Sequence, residues 1–317
     1  MNPGQLRERL QVYMDLRQAL GIPVGAGAAV LADFVSYVET QNVSGPVTTQ
    51  LALDWLDAYG ADRKLATPAR PLSLIRQFLM HVSSALPDTQ IPDIGLLAAH
   101  RRPVPFVFTP AEVEAMMEAA ASYGPAGSFL RVTLQAVLGL MACTGLRVSE
   151  ALKLNRDHVM PKSNPADLLI LETKFHKSRI VPLHPTTAKQ LSIYAGHREL
   201  LGYSQYTTAF FVTDSGRRLP HAQLMTAYRG ILDKLGVQPR GGSKRPTLQS
   251  LRHTFAVNRL RRWHEEKVDV RTRLMHLSTY LGHSNVHDTY WYLSATPELL
   301  ATAGQLFCQM ESDGGVE

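Results

Sequence analysis

The sequence predicts a mainly α (α+β) fold with two domains, and three observations lead to that prediction. The chain of 317 residues is long enough for two domains of ordinary size. Apolar residues recur at helical spacing over most of its length, and one short region near the middle is rich in strand-forming residues. With 45% apolar and 19% charged residues, the composition is typical of a globular protein rather than a disordered one.

Four helices are predicted at the start of the chain. Apolar residues repeat with a helical period in residues 10–20 and 30–38. Thr48 and its neighbour Thr49 can cap a third helix in QLALDWLDAY, and Pro71 can open a fourth in LSLIRQFLMHVSSAL. Helices of this number and length form a small bundle.

A proline-rich linker is predicted to follow this bundle. The stretch LPDTQIPDIGLLAAHRRPVPFVFT contains four prolines and has no helical period. We therefore expect a first domain over residues 1–90, a linker over residues 91–108 and a second domain over residues 109–317.

The second domain is predicted to begin with a capped helix and to carry a small antiparallel sheet. Thr109, Pro110 and Glu112 stand where a capping box and an N-terminal proline belong. Strand-forming residues in 168–173 and 179–183 flank a polar tip, which predicts a hairpin, and AFFVTDSGRRL predicts a second extended segment. The remaining pattern is helical.

The distribution of charge along the chain favours a nucleic-acid partner as one of two interpretations. The net charge is +6, yet the first hundred residues hold seven Lys/Arg against nine Asp/Glu. Residues 240–273 hold ten basic side chains against three acidic ones. Such a basic block favours a phosphate backbone through counterion release, although a solvated helix face is the common alternative.

Other classes of protein are disfavoured by what the sequence contains. No apolar run approaches the roughly 20 residues needed to cross a bilayer. The first twenty residues are charged and helix-patterned, unlike a secretory signal. Cys143 and Cys308 show neither metal-binding spacing nor a disulfide framework, so we expect a reduced, cytoplasmic setting.

Four sequence elements carry the candidate functional residues. TGLRVSEAL contains Arg147, and TKFHKSRIVPL contains Lys174 at the predicted hairpin tip. LQSLRHTFA contains Arg252, and YLGHSNVHDTYWYL contains His283 and, nine residues later, Tyr292. Each element alone is a weak signal, whereas the four in this order form a specific pattern.

Together these elements resemble the tyrosine recombinase (phage-integrase-type) family over essentially the whole chain. The family pattern is Arg, Lys, His-x-x-Arg, His or Trp, and then Tyr. It lies on a helical catalytic domain with a small antiparallel sheet, preceded by a four-helix, SAM-like core-binding domain. The resemblance implies Arg147, Lys174, Arg252 and His283 as catalytic residues around the nucleophile Tyr292.

The activity and partners that this resemblance implies can be stated as expectations. The protein would be a site-specific DNA recombinase that cuts and rejoins DNA through a 3′-phosphotyrosyl intermediate, with no cofactor and no metal. Its partners would be double-stranded DNA recombination sites and related recombinases, in a homo- or hetero-tetramer on DNA. It would be cytoplasmic, and nucleoid-associated when bound to DNA.

The residue types suit this chemistry. Phosphodiester cleavage by a side chain requires an attacking oxygen, stabilisation of transition-state charge, and a proton for the leaving oxygen. A tyrosine with a pKa near 10 is only about 0.1% ionised at neutral pH, so it needs nearby cations and a proton acceptor. Two guanidiniums can contact phosphate oxygens, Lys174 can protonate the leaving oxygen, and His283 can hydrogen-bond the phosphate or manage the nucleophile's proton.

Two assignments have neighbouring competitors. Lys177 lies three residues after Lys174, and the motif register favours Lys174. Tyr290 and Tyr292 are about 200° apart on a helix, so only one of them can face the site, and the spacing from His283 favours Tyr292. Glu150, one turn after Arg147, is expected to hold that guanidinium.

Gln249 departs from the pattern, because the family usually has the histidine of His-x-x-Arg at this position. An amide can hydrogen-bond a phosphate oxygen, but it cannot exchange a proton near neutral pH. His253 is about 100° round the helix from Arg252, and we expect it to be a poor substitute. How Tyr292 loses its proton is therefore left open. We still count Gln249 among the candidate catalytic residues.

A second departure is the longer segment between Arg252 and His283, which contains RLRRWHEEKVDVRTR and is interpreted as a basic helical extension near DNA. Both departures favour a mobile-element recombinase without an arm-binding domain, acting in integration or transposition. The alternatives are a catalytically impaired DNA-binding partner in a recombinase complex, a chromosome or plasmid dimer-resolution recombinase, a type IB topoisomerase, and a helical DNA-binding regulator that cleaves nothing.

Overall fold

The computed structural model describes residues 3–22, 25, 27–41, 45–63, 68–97, 103–160, 166–171, 178–294, 299–300 and 304. The chain divides into two compact units, Met1–Arg102 and Pro103–Glu317. Among the described helices, none is long and apolar enough to cross a membrane.

The first unit contains the four predicted helices. They are α1 (Pro3–Ala19), α2 (Gly27–Thr40), α3 (Thr49–Arg63) and α4 (Ala69–Ser83). The predicted cap at Thr48 is present, since its Oγ1 accepts a hydrogen bond from the Leu51 N–H at 3.1 Å. Helix α4 begins at Ala69, two residues earlier than expected, and Pro71 lies in its first turn, where a missing N–H costs no helical hydrogen bond.

The four helices bury their apolar faces against one another. Phe34 of α2 and Phe78 of α4 are fully buried in this core, together with Trp55 of α3. The Trp55 indole donates a hydrogen bond to Asp33 at 2.9 Å, so the polar edge of this large side chain is satisfied.

The second unit is mainly helical, as predicted. Its helices are α5 (Pro110–Ala121), α6 (Phe129–Thr144), α7 (Val148–Lys153), α8 (Pro185–Leu200), α9 (His221–Lys234), α10 (Leu248–Glu265), α11 (Val270–Leu281) and α12 (His287–Tyr290). The predicted capping box opens α5: the Thr109 N–H donates to Glu112 at 2.7 Å, and the Glu112 N–H donates to Thr109 Oγ1 at 3.2 Å.

A small antiparallel sheet lies in this unit, with strands in the order β1 (Val159–Met160), β2 (Asp167–Ile170) and β3 (Arg179–Pro182). Leu168 pairs with Val181, and both side chains are buried, which sets the register of the hairpin. The hairpin was predicted, but its tip, with Lys174 and Lys177, lies outside the described residues. The second extended segment is also present, as an antiparallel bridge between Val212 and Arg218.

The described residues of the second unit form two apolar cores. The larger one surrounds α6, in which Leu134, Val137 and Leu138 are fully buried. The smaller one joins α10 and α11 to the residues that follow α12, and it includes Tyr292. Each fully buried Leu contributes roughly 1.5–3 kcal/mol, so this smaller core fixes the polypeptide around Tyr292.

Candidate active site

Arg147, Arg252, His283 and Tyr292 converge in the second unit, at the turn where α11 ends. Arg147 donates a hydrogen bond to the Gly282 carbonyl at 2.9 Å, and Arg252 donates one to the Leu281 carbonyl at 2.8 Å. The His283 ring is stacked with the Tyr292 ring, with 6.3 Å between the ring centres. The cluster therefore joins the residue before α7, a residue of α10 and the segments that follow α11 and α12.

The remaining two predicted site residues are not part of the described cluster. Lys174 lies outside the described residues. The Gln249 side chain is exposed, and no hydrogen bond joins it to a residue that the structure describes. The sequence assigned Gln249 to this site by its place in the motif, and that assignment stays a prediction.

Arg147 is positioned by the turn between α6 and α7. Gly145 ends α6 with a left-handed φ of 64°, and a Cβ at this position would lie 2.7 Å from Phe255 Cδ1. Only glycine fits there without strain. The turn places Arg147 directly before α7, where its Nη1 donates to Glu150 at 2.8 Å, as the sequence predicted.

Glu150 also holds the guanidinium of Arg179, a contact for which the sequence gives no local signal. Arg179 of β3 donates two hydrogen bonds to the Glu150 carboxylate, at 3.1 and 2.9 Å, and its Nε donates to the Tyr280 carbonyl at 2.8 Å. Burial favours the neutral form of Glu150, but the hydrogen bonds and charges of Arg179 and Arg147 outweigh it and hold the pKa of the carboxyl below its ordinary value. Glu150 is therefore an ionised link between Arg147 and the hairpin.

Arg252 is a buried cation anchored by main-chain carbonyls. It is only 1% exposed, and its terminal nitrogens donate to the carbonyls of Gly145 and Leu281, each at 2.8 Å. Burial, together with the charge of Arg147, lowers the pKa of Arg252 to about 10, so the guanidinium remains charged at neutral pH. Among the described residues no carboxylate forms an ion pair with it, which leaves its charge available to an anion.

His283 is held as a neutral imidazole. Its Nδ1 pairs with Thr289 Oγ1 at 2.7 Å. Burial and the positive charges of Arg252 and Arg147 lower the pKa of His283 to about 4. At neutral pH the ring therefore carries one proton. When Thr289 donates its hydroxyl hydrogen to Nδ1, that proton is on Nε2.

Tyr292 is buried beside these groups, whereas Tyr290 is not. Tyr292 is 2% exposed and Tyr290 is 42% exposed, so the two side chains face in different directions, as their spacing predicted. Burial raises the pKa of Tyr292 above its ordinary value, although the positive charges of Arg252 and Arg147 act in the opposite direction. The hydroxyl is therefore protonated at neutral pH, and its chemistry requires a proton acceptor.

His253, which the offset along the helix predicts to be a poor substitute for the missing histidine, lies beside Tyr292 in the structure. Its Nδ1 lies 3.0 Å from the Tyr292 hydroxyl. The offset does not remove it from the cluster, because Arg252 anchors to the Gly145 and Leu281 carbonyls while His253 faces the residues that follow α12. A helical wheel of α10 alone does not show that partners lie on both sides of the helix.

Gly282→Ala is expected to weaken the fold and the cluster together. A methyl group at this position would lie 2.6 Å from Arg179 Nη1, so the guanidinium would have to leave Glu150. The left-handed φ of 69° adds about 1–2 kcal/mol of strain, and a lost hydrogen bond between charged groups adds about 1.5–3 kcal/mol. Denaturant unfolding measures the total.

Gly236→Ala is the matched control for this substitution. Gly236 also follows a helix, α9, with a similar φ of 64°, but nothing lies within 4 Å of the added methyl group. It should show the strain alone. Equal losses of unfolding free energy in the two variants would contradict the proposed displacement of Arg179.

The fold and the side chains gathered around Tyr292 place the chain in a class of enzymes, the recombinases that transfer DNA strands. Residues 107–298 match the phage integrase family. The chain belongs to this family, the tyrosine recombinases.

Relatives and solved structures agree with this assignment. The chain is 33% identical to y4rE of Sinorhizobium fredii over 95% of each chain. The relative y4rE is named as an integrase/recombinase by inference. It is 27% identical to the tyrosine recombinase XerD of Bifidobacterium longum, over 93% of this chain and 94% of the relative. It also resembles the XerH site-specific recombinase in a post-cleavage complex with its palindromic difH substrate, with a TM-score of 0.67 and 21% identity over 96% of this chain and 84% of that one.

Among the described residues, no three His, Cys, Asp or Glu side chains are grouped so that they could hold a metal ion.

Proposed function

We propose that this chain is a site-specific recombinase that cuts and rejoins duplex DNA through a 3′-phosphotyrosyl intermediate at Tyr292. The observation that carries the proposal is the position of the Tyr292 side chain, buried where the charges of Arg252 and Arg147 both act on its hydroxyl. Two cations beside a protonated nucleophile suit attack on an anionic phosphodiester.

The two guanidiniums are proposed to hold the scissile phosphate. In Arg252 and Arg147, each terminal nitrogen donates one described hydrogen bond to the protein. Since each such nitrogen carries two hydrogens, the others can reach non-bridging phosphate oxygens. The anchoring carbonyls keep the donors in place before DNA arrives, which lowers the cost of reorganisation in the transition state.

The cleavage step is proposed to be a direct displacement at phosphorus. The Tyr292 oxygen attacks the phosphorus atom, the bond to the 5′-oxygen breaks, and that oxygen takes up a proton. Lys174, between β2 and β3, is the proposed donor of this proton, and neutral His283 is proposed to donate a hydrogen bond from Nε2 to the phosphate. A 5′-hydroxyl of a partner strand reverses the step and rejoins the DNA.

The surface that faces DNA is proposed to include the end of α10 and the start of α11. Arg261, Arg262, Lys267 and Arg273 are exposed there. Arg262 pairs with Glu266, so part of this charge is already compensated. The basic surface would attract the phosphate backbone through counterion release.

The biological role is proposed to be integration or transposition of a mobile element, by several related subunits on DNA. The integrase/recombinase assignment of y4rE, with its similarity over 95% of both chains, supports this role. A catalytically impaired DNA-binding partner is a second candidate, because Gln249 stands in place of a histidine and its side chain has no hydrogen bond to a described residue.

A trapping experiment tests the proposed function. The DNA site is first identified from the genomic fragments that the protein retains at moderate salt. In a nicked duplex of that site, cleavage releases the short strand beyond the cut, so religation is blocked. In EDTA, wild-type protein should form an adduct that survives denaturation and carries the DNA 3′-phosphate on the Tyr292 peptide. Specific binding without any adduct would favour the impaired partner. Relaxation of supercoils without strand exchange would favour a topoisomerase.

A further inference from the structure

His253 makes a direct contact with the Tyr292 hydroxyl that the proposed function does not use. Its Nδ1 lies 3.0 Å from the hydroxyl oxygen, which is hydrogen-bonding distance. The imidazole also packs edge-on against Trp291, with 5.3 Å between ring centres and 68° between ring planes. The ring is therefore held in place by packing as well as by the hydrogen bond.

We propose that His253 accepts the proton of the Tyr292 hydroxyl during DNA cleavage and returns it during rejoining. This inference rests on the proposed function, since it assigns a role in that reaction. It makes His253 the group that performs the proton transfer which Gln249 cannot.

The surroundings of Tyr292 favour His253 over the other candidate acceptors. The ring of His283 is nearly parallel to that of Tyr292, at 17°, and its Nδ1 is engaged with Thr289. Gln249 is exposed, and its amide cannot take a proton near neutral pH. With Tyr292 only 2% exposed, bulk water has little access to the hydroxyl. Arg252 also forms a hydrogen bond with the Tyr292 hydroxyl, but a charged guanidinium has no lone pair that could accept a proton. His253 Nδ1, at 3.0 Å from that oxygen, can accept one.

The proton balance of the step is simple. A neutral His253 with its proton on Nε2 presents a lone pair at Nδ1. As the bond from the Tyr292 oxygen to phosphorus forms, the O–H bond breaks and its proton moves to Nδ1. The bond to the 5′-oxygen breaks, and that oxygen receives its proton from the separate donor, proposed to be Lys174. In rejoining, the imidazolium returns its proton to Tyr292 as the phosphotyrosyl bond breaks.

Two substitutions separate proton transfer from positioning. His253→Asn keeps an acceptor oxygen close to the place of Nδ1 but cannot take a proton, and His253→Phe keeps the ring packing but has no acceptor. If His253 is the base, both variants should cleave roughly 100-fold more slowly or worse, because a positioned acid–base group contributes about 10²–10⁴. His276→Asn, on the exposed face of α11, is the matched control and should react like wild type.

The decisive readout uses a fluorinated tyrosine, incorporated at position 292, whose phenol ionises near neutral pH. Such a phenol needs no base, so the rate difference between wild type and either His253 variant should shrink at least tenfold. A purely structural defect would not depend on the acidity of the phenol. Single-turnover adduct formation on the nicked duplex gives the rates, and DNA affinity and melting temperature establish that each variant is folded.

The outcomes distinguish the two proposals. A wild-type chain that forms no adduct overturns the proposed function and the role of His253 with it. If the wild-type chain forms the adduct, two results would overturn the role of His253 alone. One is a His253→Asn variant that reacts at the wild-type rate, and the other is a His253→Asn defect that the fluorinated tyrosine leaves unchanged.

Discussion

Tyr292→Phe is expected to abolish covalent attachment of the protein to DNA while leaving DNA binding intact. The substitution removes the attacking oxygen and nothing else, and loss of a nucleophile typically lowers a rate by about 10⁶. The fold should survive, because the hydrogen bond between this hydroxyl and His253 contributes only about 0.5–1.5 kcal/mol, and the phenyl ring keeps its place in the apolar core. Denaturing gels of the nicked-duplex reaction measure the adduct, and gel shifts measure binding.

Tyr290→Phe is the matched control for this prediction. It makes the same chemical change two residues away, on a side chain that is 42% exposed rather than 2% exposed. It should form the adduct at the wild-type rate. Adduct formation by Tyr292→Phe, together with its loss in Tyr290→Phe, would show that the assignment of the nucleophile is wrong.

Arg252→Lys is expected to slow adduct formation by about 10³–10⁵, the range seen for arginines that stabilise a transferring phosphoryl group. Lysine keeps the positive charge, but a single ammonium cannot span the Gly145 and Leu281 carbonyls, each of which accepts a hydrogen bond at 2.8 Å, and still contact a phosphate. Single-turnover cleavage at saturating protein separates this loss from any loss of DNA affinity.

Arg198→Lys is a suitable control for the cost of changing a buried arginine. Arg198 is also 1% exposed, and its guanidinium donates to Ser204 at 2.7 Å and to the Thr207 carbonyl at 2.8 Å. This variant should lose stability without a change in the cleavage rate of the folded protein. If Arg252→Lys cleaves within tenfold of wild type, Arg252 does not hold the phosphate in the proposed way.

Local features of the fold could be predicted because their causes are local. The capping box of Thr109 and Glu112 joins residues three positions apart, and the cap at Thr48 bonds to Leu51. The hairpin follows from two strand-forming stretches that flank a polar tip. Such features depend on neighbours along the chain, so the pattern of residues indicates them directly.

The sequence by itself determined the main elements of the fold and four residues that converge in the candidate site. These four, Arg147, Arg252, His283 and Tyr292, stand at spacings that a family pattern makes specific. Only the tertiary structure decided how these side chains are held. Arg179 reaches Glu150 from 29 positions away, and His253 reaches Tyr292 from 39 positions away. Contacts over such separations depend on how α10, α11 and the sheet pack against one another. Because this packing produces no regular spacing along the chain, the sequence does not indicate which polar groups become partners.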